Sequence, residues 1–147
     1  MPILALNKKA KFDYEILENF EAGLVLTGQE VKSAKNGQIN LKGSYVAITG
    51  DEAWLLNAHI PKYKKAGSLK DYDPYRTRKL LLKKKQISYL LGKSREKGLT
   101  LVALNAHTKY GKVKIEFGVG RGKRKFDKRE DVKKRDVKIK LKRKYGI

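Results

Sequence analysis

The sequence predicts a mainly β fold: a small antiparallel barrel of about six strands with two or three helices, followed by a basic C-terminal tail. Three observations predict it. Apolar and polar residues alternate along much of the chain, the period of half-buried strands. Glycine- and asparagine-containing turn signals punctuate those stretches at short intervals. Finally, a hydrophobic fraction of 40% over 147 residues is enough for one core, and closing the sheet removes exposed strand edges.

The first strand signal is Phe12, Tyr14, Ile16 and Phe20, evenly spaced with charged residues between them. Glu21-Ala22-Gly23 interrupts it before Leu24-Val25-Leu26 resumes, and Gly23 suggests a bulge or sharp bend. Gly28 precedes a short helical stretch over 29–36, stopped by Asn36-Gly37. Strands over 44–49 and 53–60 follow, joined by Gly50-Asp51-Glu52 as a tight hairpin and ended by Pro61. Residues 62–78 form a polar, basic connection carrying Tyr63, Tyr72 and Tyr75, and 79–82 is a short apolar strand. A helix over 83–97 is expected from Ile87, Leu90 and Leu91 at i, i+3, i+4, with Gly98 as its stop. Two strands over 99–107 and 113–119 flank a turn at Lys109-Tyr110-Gly111. The natural architecture is an OB-like barrel over 1–122, a design that offers an open face and loops to nucleic acid, with the tail at 123–147.

Charge separates the chain into regions. Net charge is +21, yet residues 1–61 carry a net of −1. Residues 62–97 carry +10, and 120–147 carry another +10 from 14 basic and 4 acidic side chains. An excess serving only solubility would be spread out, so two basic blocks point to a phosphate-binding surface plus a phosphate-binding tail. The tail has too little apolar surface to order itself and is expected to be mobile until it meets a polyanion.

Other classes fit poorly. No apolar run approaches the roughly 20 residues of a membrane span, and no signal peptide or lipidation motif is read, so the expected location is the cytoplasm. There is no Cys, and the two histidines, His59 and His107, read as strand residues with satisfied rings. No phosphate-loop, GxSxG or HExxH motif is present, and no catalytic residue, metal site or cofactor is expected. The alternating Gly118, Gly120 and Gly122 end a strand rather than open a helix, so they read as sites of close approach or a flexible exit from the barrel. Arg76, Arg78 and Lys79 beside Tyr75 form a compact cluster suited to phosphates and a stacked base, or else a solvated face with an anchoring Tyr.

Six strings add a resemblance: ALNKKA at 5–10, FEAGLVLTGQEVKS at 20–33, NLKGSYV at 40–46, EAWLLNAHI at 52–60, DPYRTRKLLL at 73–82 and RGKRKFDKRE at 121–130. In order and at compatible spacing, they resemble the small protein B family, the SsrA-binding proteins of bacterial trans-translation. The resemblance implies a non-enzymatic adaptor with an OB-like barrel that binds the tRNA-like domain of transfer-messenger RNA. It implies delivery of that RNA to stalled ribosomes, with the tail in the decoding centre and empty mRNA channel, followed by tagging of the nascent peptide. It further implies RNA contacts at Asn7, Glu21, Leu81 and Lys114, a GK element at Gly122 and Lys123, and a DKR motif at Asp127, Lys128 and Arg129. Phe126 precedes that motif, and Lys133, Lys134 and Arg135 continue the ribosome-facing tail. Two positions have a second reading: Glu21 as a corner residue, and Leu81 as core. NAHTKYG at 105–111 departs from the family's aromatics, and the chain end lacks its Ile-Met-Lys pattern.

In the tail, Val137, Leu141 and Tyr145 have helical spacing while 137–142 also alternates as a strand would; the resemblance implies a helix on the ribosome, expected over about Glu130–Tyr145, and the free chain is expected to be a monomer. The composition leaves open a structural ribosomal protein. An RNA-modifying enzyme lacks a catalytic set.

Overall fold

The computed structural model describes residues 3–63 and 72–123. In chain order they form β1 (Ile3–Leu6), α1 (Lys8–Asp13), β2 (Tyr14–Leu24), α2 (Gly28–Lys35), β3 (Tyr45–Thr49), β4 (Glu52–Leu56), β5 (Arg78–Leu81), α3 (Lys84–Arg95), β6 (Leu99–Lys109) and β7 (Lys112–Gly122). The strand order is β1-β6-β3-β4-β5-β2-β7, and β7 pairs back onto β6. Six antiparallel strands therefore close into a ring, with β1 added on β6 beyond β3. The expected barrel is present, with three helices among the described residues.

Closure follows from period-2 patterning in β2 and β7, two of the three strands of 11 residues. Val113, Ile115, Phe117 and Val119 of β7 all point into the core, and Ala22 and Leu24 of β2 join them. Phe20 stacks on Phe117 at 5.7 Å between ring centroids. β6 is different, because its apolar run is buried on both faces. Leu101 and Ala103 fill the barrel, whereas Val102 and Leu104 pack outward under Ala10 of α1. A register shift between Ala103 and Asn105 then ends that arrangement. After it, Ala106 points in while Asn105 and His107 lie on the outer side, where polar side chains can find partners.

The hairpins use the turn chemistry their sequences offer. Thr49 pairs with Glu52 across Gly50-Asp51, and Gly50 has φ 63, as a first turn residue with positive φ requires. Tyr110 and Gly111, at φ 53 and 75, both adopt left-handed backbone between Lys109 and Lys112. Thr27 caps α2 through a reciprocal pair: its hydroxyl accepts from the Glu30 N–H at 3.3 Å, and Glu30 Oε1 accepts from the Thr27 N–H at 2.9 Å.

Several local expectations are corrected. β1 and α1 were not legible, and Phe12 lies in α1, fully buried, rather than opening a strand. Asn7 makes that helix possible by capping it. The β2 irregularity falls between Ile16 and Glu18, not at Gly23, which pairs regularly on both edges. β4 stops at Leu56 because Asn57 turns to φ 62. Gly118 and Gly120 admit β2 rather than an external partner: a Cβ on Gly118 would lie 2.7 Å from Ile16 Cγ2 and 2.8 Å from the Glu18 carbonyl oxygen. The expectations for 124–147, including Phe126, Asp127, Lys128, Arg129, Lys133, Lys134 and Arg135, fall outside the described residues.

Candidate nucleic-acid interface

Register alone brings distant residues into one row. Leu81 of β5 pairs with Gly23 of β2, Gly23 with Lys114 of β7, and Lys114 with His107 of β6. The next row sets Glu21 opposite Glu116, and Glu116 opposite Asn105. Three of the family-implied residues, Leu81, Glu21 and Lys114, thus share one outer patch though they come from three strands. Leu81 is 58% exposed, which removes the core reading for that residue.

A chain of hydrogen bonds organises the patch. Asn105 Nδ2 donates to Glu116 Oε1 at 2.7 Å, and Asn105 Oδ1 lies 2.8 Å from His107 Nδ1. His107 Nε2 lies 2.9 Å from Glu21 Oε2, and Lys109 Nζ donates to Glu21 Oε1 at 3.3 Å. The His107 hydrogen bond is the main cause holding the Glu21 carboxyl below its ordinary range; slight burial opposes it and Lys109 reinforces it. Glu21 therefore presents an ionised, oriented acceptor at neutral pH. Such an acceptor suits an RNA 2′-hydroxyl or a base amine better than a phosphate. Lys114 has no ion-pair partner among the described residues, so its charge remains available to phosphate.

Asn7 is placed differently. It is only 4% exposed, and its amide is spent inside the fold. Nδ2 donates to the carbonyls of Leu41 at 3.0 Å and Ala103 at 2.8 Å, while Oδ1 accepts from the Ala10 N–H. It borders a cavity of about 220 Å³ shared with Lys9, Tyr14, Ser44, Tyr45 and Thr100, toward the other end of β6. Gly122 pairs with Tyr14 at the barrel end, and the Lys123 N–H donates to the Asp13 carbonyl at 2.9 Å, holding the end of β7 against the start of β2.

The basic cluster at 76–79 is corrected at its centre. Arg78 is 0% exposed and is a structural ion-pair residue, not a phosphate ligand. Its Nη2 lies 2.8 Å from Glu30 Oε2, and it also donates to the carbonyls of Ala58 and Pro74. Arg76, partly exposed, reaches Glu30 Oε1 at 2.6 Å, and Lys79 meets Glu52 at 2.9 Å. Burial by itself would raise the Glu30 pKa. Hydrogen bonds from Arg76, the Thr27 backbone and Arg78, with the Arg78 charge, outweigh it and lower the value to about 2. Tyr75 stays exposed, with the His59 ring 4.9 Å away.

Sequence reasoning missed Asn105, His107 and Lys109, although their polar side chains at i, i+2, i+4 after an apolar run carried the signal. Among the described residues no group of His, Cys, Asp or Glu could hold a metal ion, and no helix is long and apolar enough to cross a membrane.

Comparison with known proteins decides the family. The family model described as SmpB protein matches residues 4–146. The chain belongs to the SmpB family. An SsrA-binding protein from Sulfurihydrogenibium sp. (strain YO3AOP1) is 50% identical over 143 residues, 97% of this chain and 93% of that protein. One from Persephonella marina is 49% identical over the same shares. A solved chain from "tmRNA-SmpB: a journey to the center of the bacterial ribosome" has 43% identity and a TM-score of 0.71, covering 93% of this chain and 97% of that one.

Proposed function

We propose that this SmpB-family chain is the RNA-binding adaptor of trans-translation. It binds the tRNA-like domain of transfer-messenger RNA through the outer patch of β5, β2, β7 and β6 and delivers that RNA to stalled ribosomes. The observation that carries this reading is the convergence of Leu81, Glu21 and Lys114 on one row-built surface, in a chain about half identical to proteins named for SsrA binding. Family membership favours it over a structural ribosomal protein.

The roles divide by chemistry. Lys114 neutralises phosphate, Leu81 packs against a base or sugar, and Glu21 accepts from a hydroxyl or amine. Lys79 and Arg76 add charge at the margin. Asn7 acts from beneath by holding α1 and the 41–45 loop on β6. Gly122 and Lys123 launch the tail, whose Phe126, Asp127, Lys128, Arg129, Lys133, Lys134 and Arg135 engage the decoding centre and empty mRNA channel. The chain acts in the cytoplasm and makes or breaks no covalent bond.

Binding of a tRNA-like-domain RNA to the purified chain tests the division of labour. Lys114→Ala, with unchanged melting, and Glu21→Ala, which melts somewhat earlier because the buried His107 ring loses its partner, each weaken binding by about tenfold or more, equivalent to at least one lost charge-assisted contact. A chain ending at Lys125 keeps most RNA affinity but no longer supports tagging on stalled ribosomes, and replacing Asp127, Lys128 and Arg129 with Ala has the same effect. Undiminished affinity in both point variants, or tagging by the shortened chain, overturns the reading.

A further inference from the structure

On the outer face of the sheet Gly23 stands between Leu81 and Lys114 and places no side chain between theirs. A Cβ built on Gly23 would lie 3.6 Å from Leu81 Cδ1, 3.8 Å from Leu81 Cβ and 3.9 Å from Lys114 Nζ. Both neighbours therefore stand beside the space a side chain would occupy, an apolar wall on one side and an ammonium on the other. The backbone does not require glycine here: Gly23 is absent from the positive-φ positions, and its pairing to both neighbouring strands is regular. Glycine in a strand costs conformational entropy and contributes no cross-strand packing. Nor would a Cβ clash, since its neighbours sit at ordinary van der Waals distance, in contrast to Gly118. Neither steric demand nor backbone geometry accounts for glycine at 23.

The chemistry around that position is specific. Glu21, two residues along the same strand and hence about 6.7 Å away, sets its ionised carboxylate on the same face. His107 and Lys109 fix its direction. An apolar wall, a bare peptide floor, a cation and an acceptor within one nucleotide's reach match a single unstacked nucleotide. We propose that Gly23 is the floor of a nucleotide seat, with the base or ribose laid over the Gly23 backbone and flanked by Leu81, its phosphate at Lys114 and its 2′-hydroxyl or base amine at Glu21. Gly23 acts by leaving room. This rests on the RNA-binding reading above and goes beyond it in assigning Gly23 and one splayed nucleotide.

The test exploits an opposition between folding and binding. Gly23→Ala and Gly23→Val add side chains of increasing size, and Val suits a strand better than Gly does. Melting temperature should stay level or rise. Affinity for the tRNA-like-domain RNA should fall in order of size, by about tenfold or more for Val, the scale of overpacking a filled site. Binding of heparin, a polyanion with no base to seat, should be unchanged. Equal RNA affinity for wild type and Gly23→Val overturns the seat while leaving RNA binding intact. A parallel loss of heparin and RNA binding also overturns it, because the residue would then act on charge presentation alone. If the wild-type chain fails to prefer the tRNA-like RNA over an unrelated RNA of equal length, the parent reading fails instead. Should Gly23→Val melt early, Gly23→Ala supplies the same comparison with a single methyl group.

Discussion

Glu30 joins three parts of the molecule through one carboxylate: the cap of α2, the buried guanidinium of Arg78 and the partly exposed guanidinium of Arg76. Removing Arg78 would leave that carboxylate to Arg76 and the Thr27 N–H alone and would strip the Ala58 and Pro74 carbonyls of their donor, so Arg78→Ala should cost about 3 kcal/mol or more in denaturant unfolding. Acid titration reads the same network. The folded pKa of Glu30 is about 2 against an ordinary 4.5, so its contribution is fully present above about pH 4.5 and drains away as pH falls toward 2. Stability measured across that window should therefore decline in the wild type, and the decline should be shallower in Glu30→Gln. The sequence misleads at this site for a physical reason. Arg78-Lys79-Leu80-Leu81 places one charged and one apolar residue on each side of a strand, so alternation cannot say which side is inside. Pairing with β4 and the carboxylate of Glu30, 48 residues away, turn Arg78 in and Leu81 out.

At the scale of elements, β2 and β7 carry the barrel's closure and depend on two missing side chains. Gly118→Ala would drive a methyl group into Ile16 and the Glu18 carbonyl at the irregularity in β2. A cost of about 1–3 kcal/mol is expected from thermal unfolding, the range of an overpacked contact. Gly122→Ala, where a Cβ meets nothing within 4 Å, should be close to neutral and serves as the control. The alternating glycines were visible in the sequence, but their reason was not, because it lies in a partner strand about 100 residues earlier. The same holds for β6. Its apolar run and its polar Asn105-Ala106-His107 end were both readable, whereas the shift that turns Asn105 and His107 toward Glu116 and Glu21 arises only from pairing with β7. Hairpins fared better, since Gly50 and Tyr110-Gly111 encode their turns locally.

For the whole molecule, charge placement was the most readable property and register the least. A near-neutral first part, a basic middle and a basic tail can be counted directly. That Leu81, Gly23, Lys114 and His107 stand side by side follows only from the closed strand order. The proposed function joins the two: patterned contacts on the barrel choose the RNA, and diffuse charge strengthens the hold. RNA affinity should accordingly fall steeply with salt, and a chain ending at Lys125 should show a shallower salt slope with its preference among RNAs retained. Sequencing the RNA that co-purifies with the full chain from bacterial extract tests the central claim most directly. Strong enrichment of transfer-messenger RNA over ribosomal RNA, lost in Lys114→Ala, is the predicted result; recovery of ribosomal RNA in bulk proportion, with no such enrichment, would contradict it.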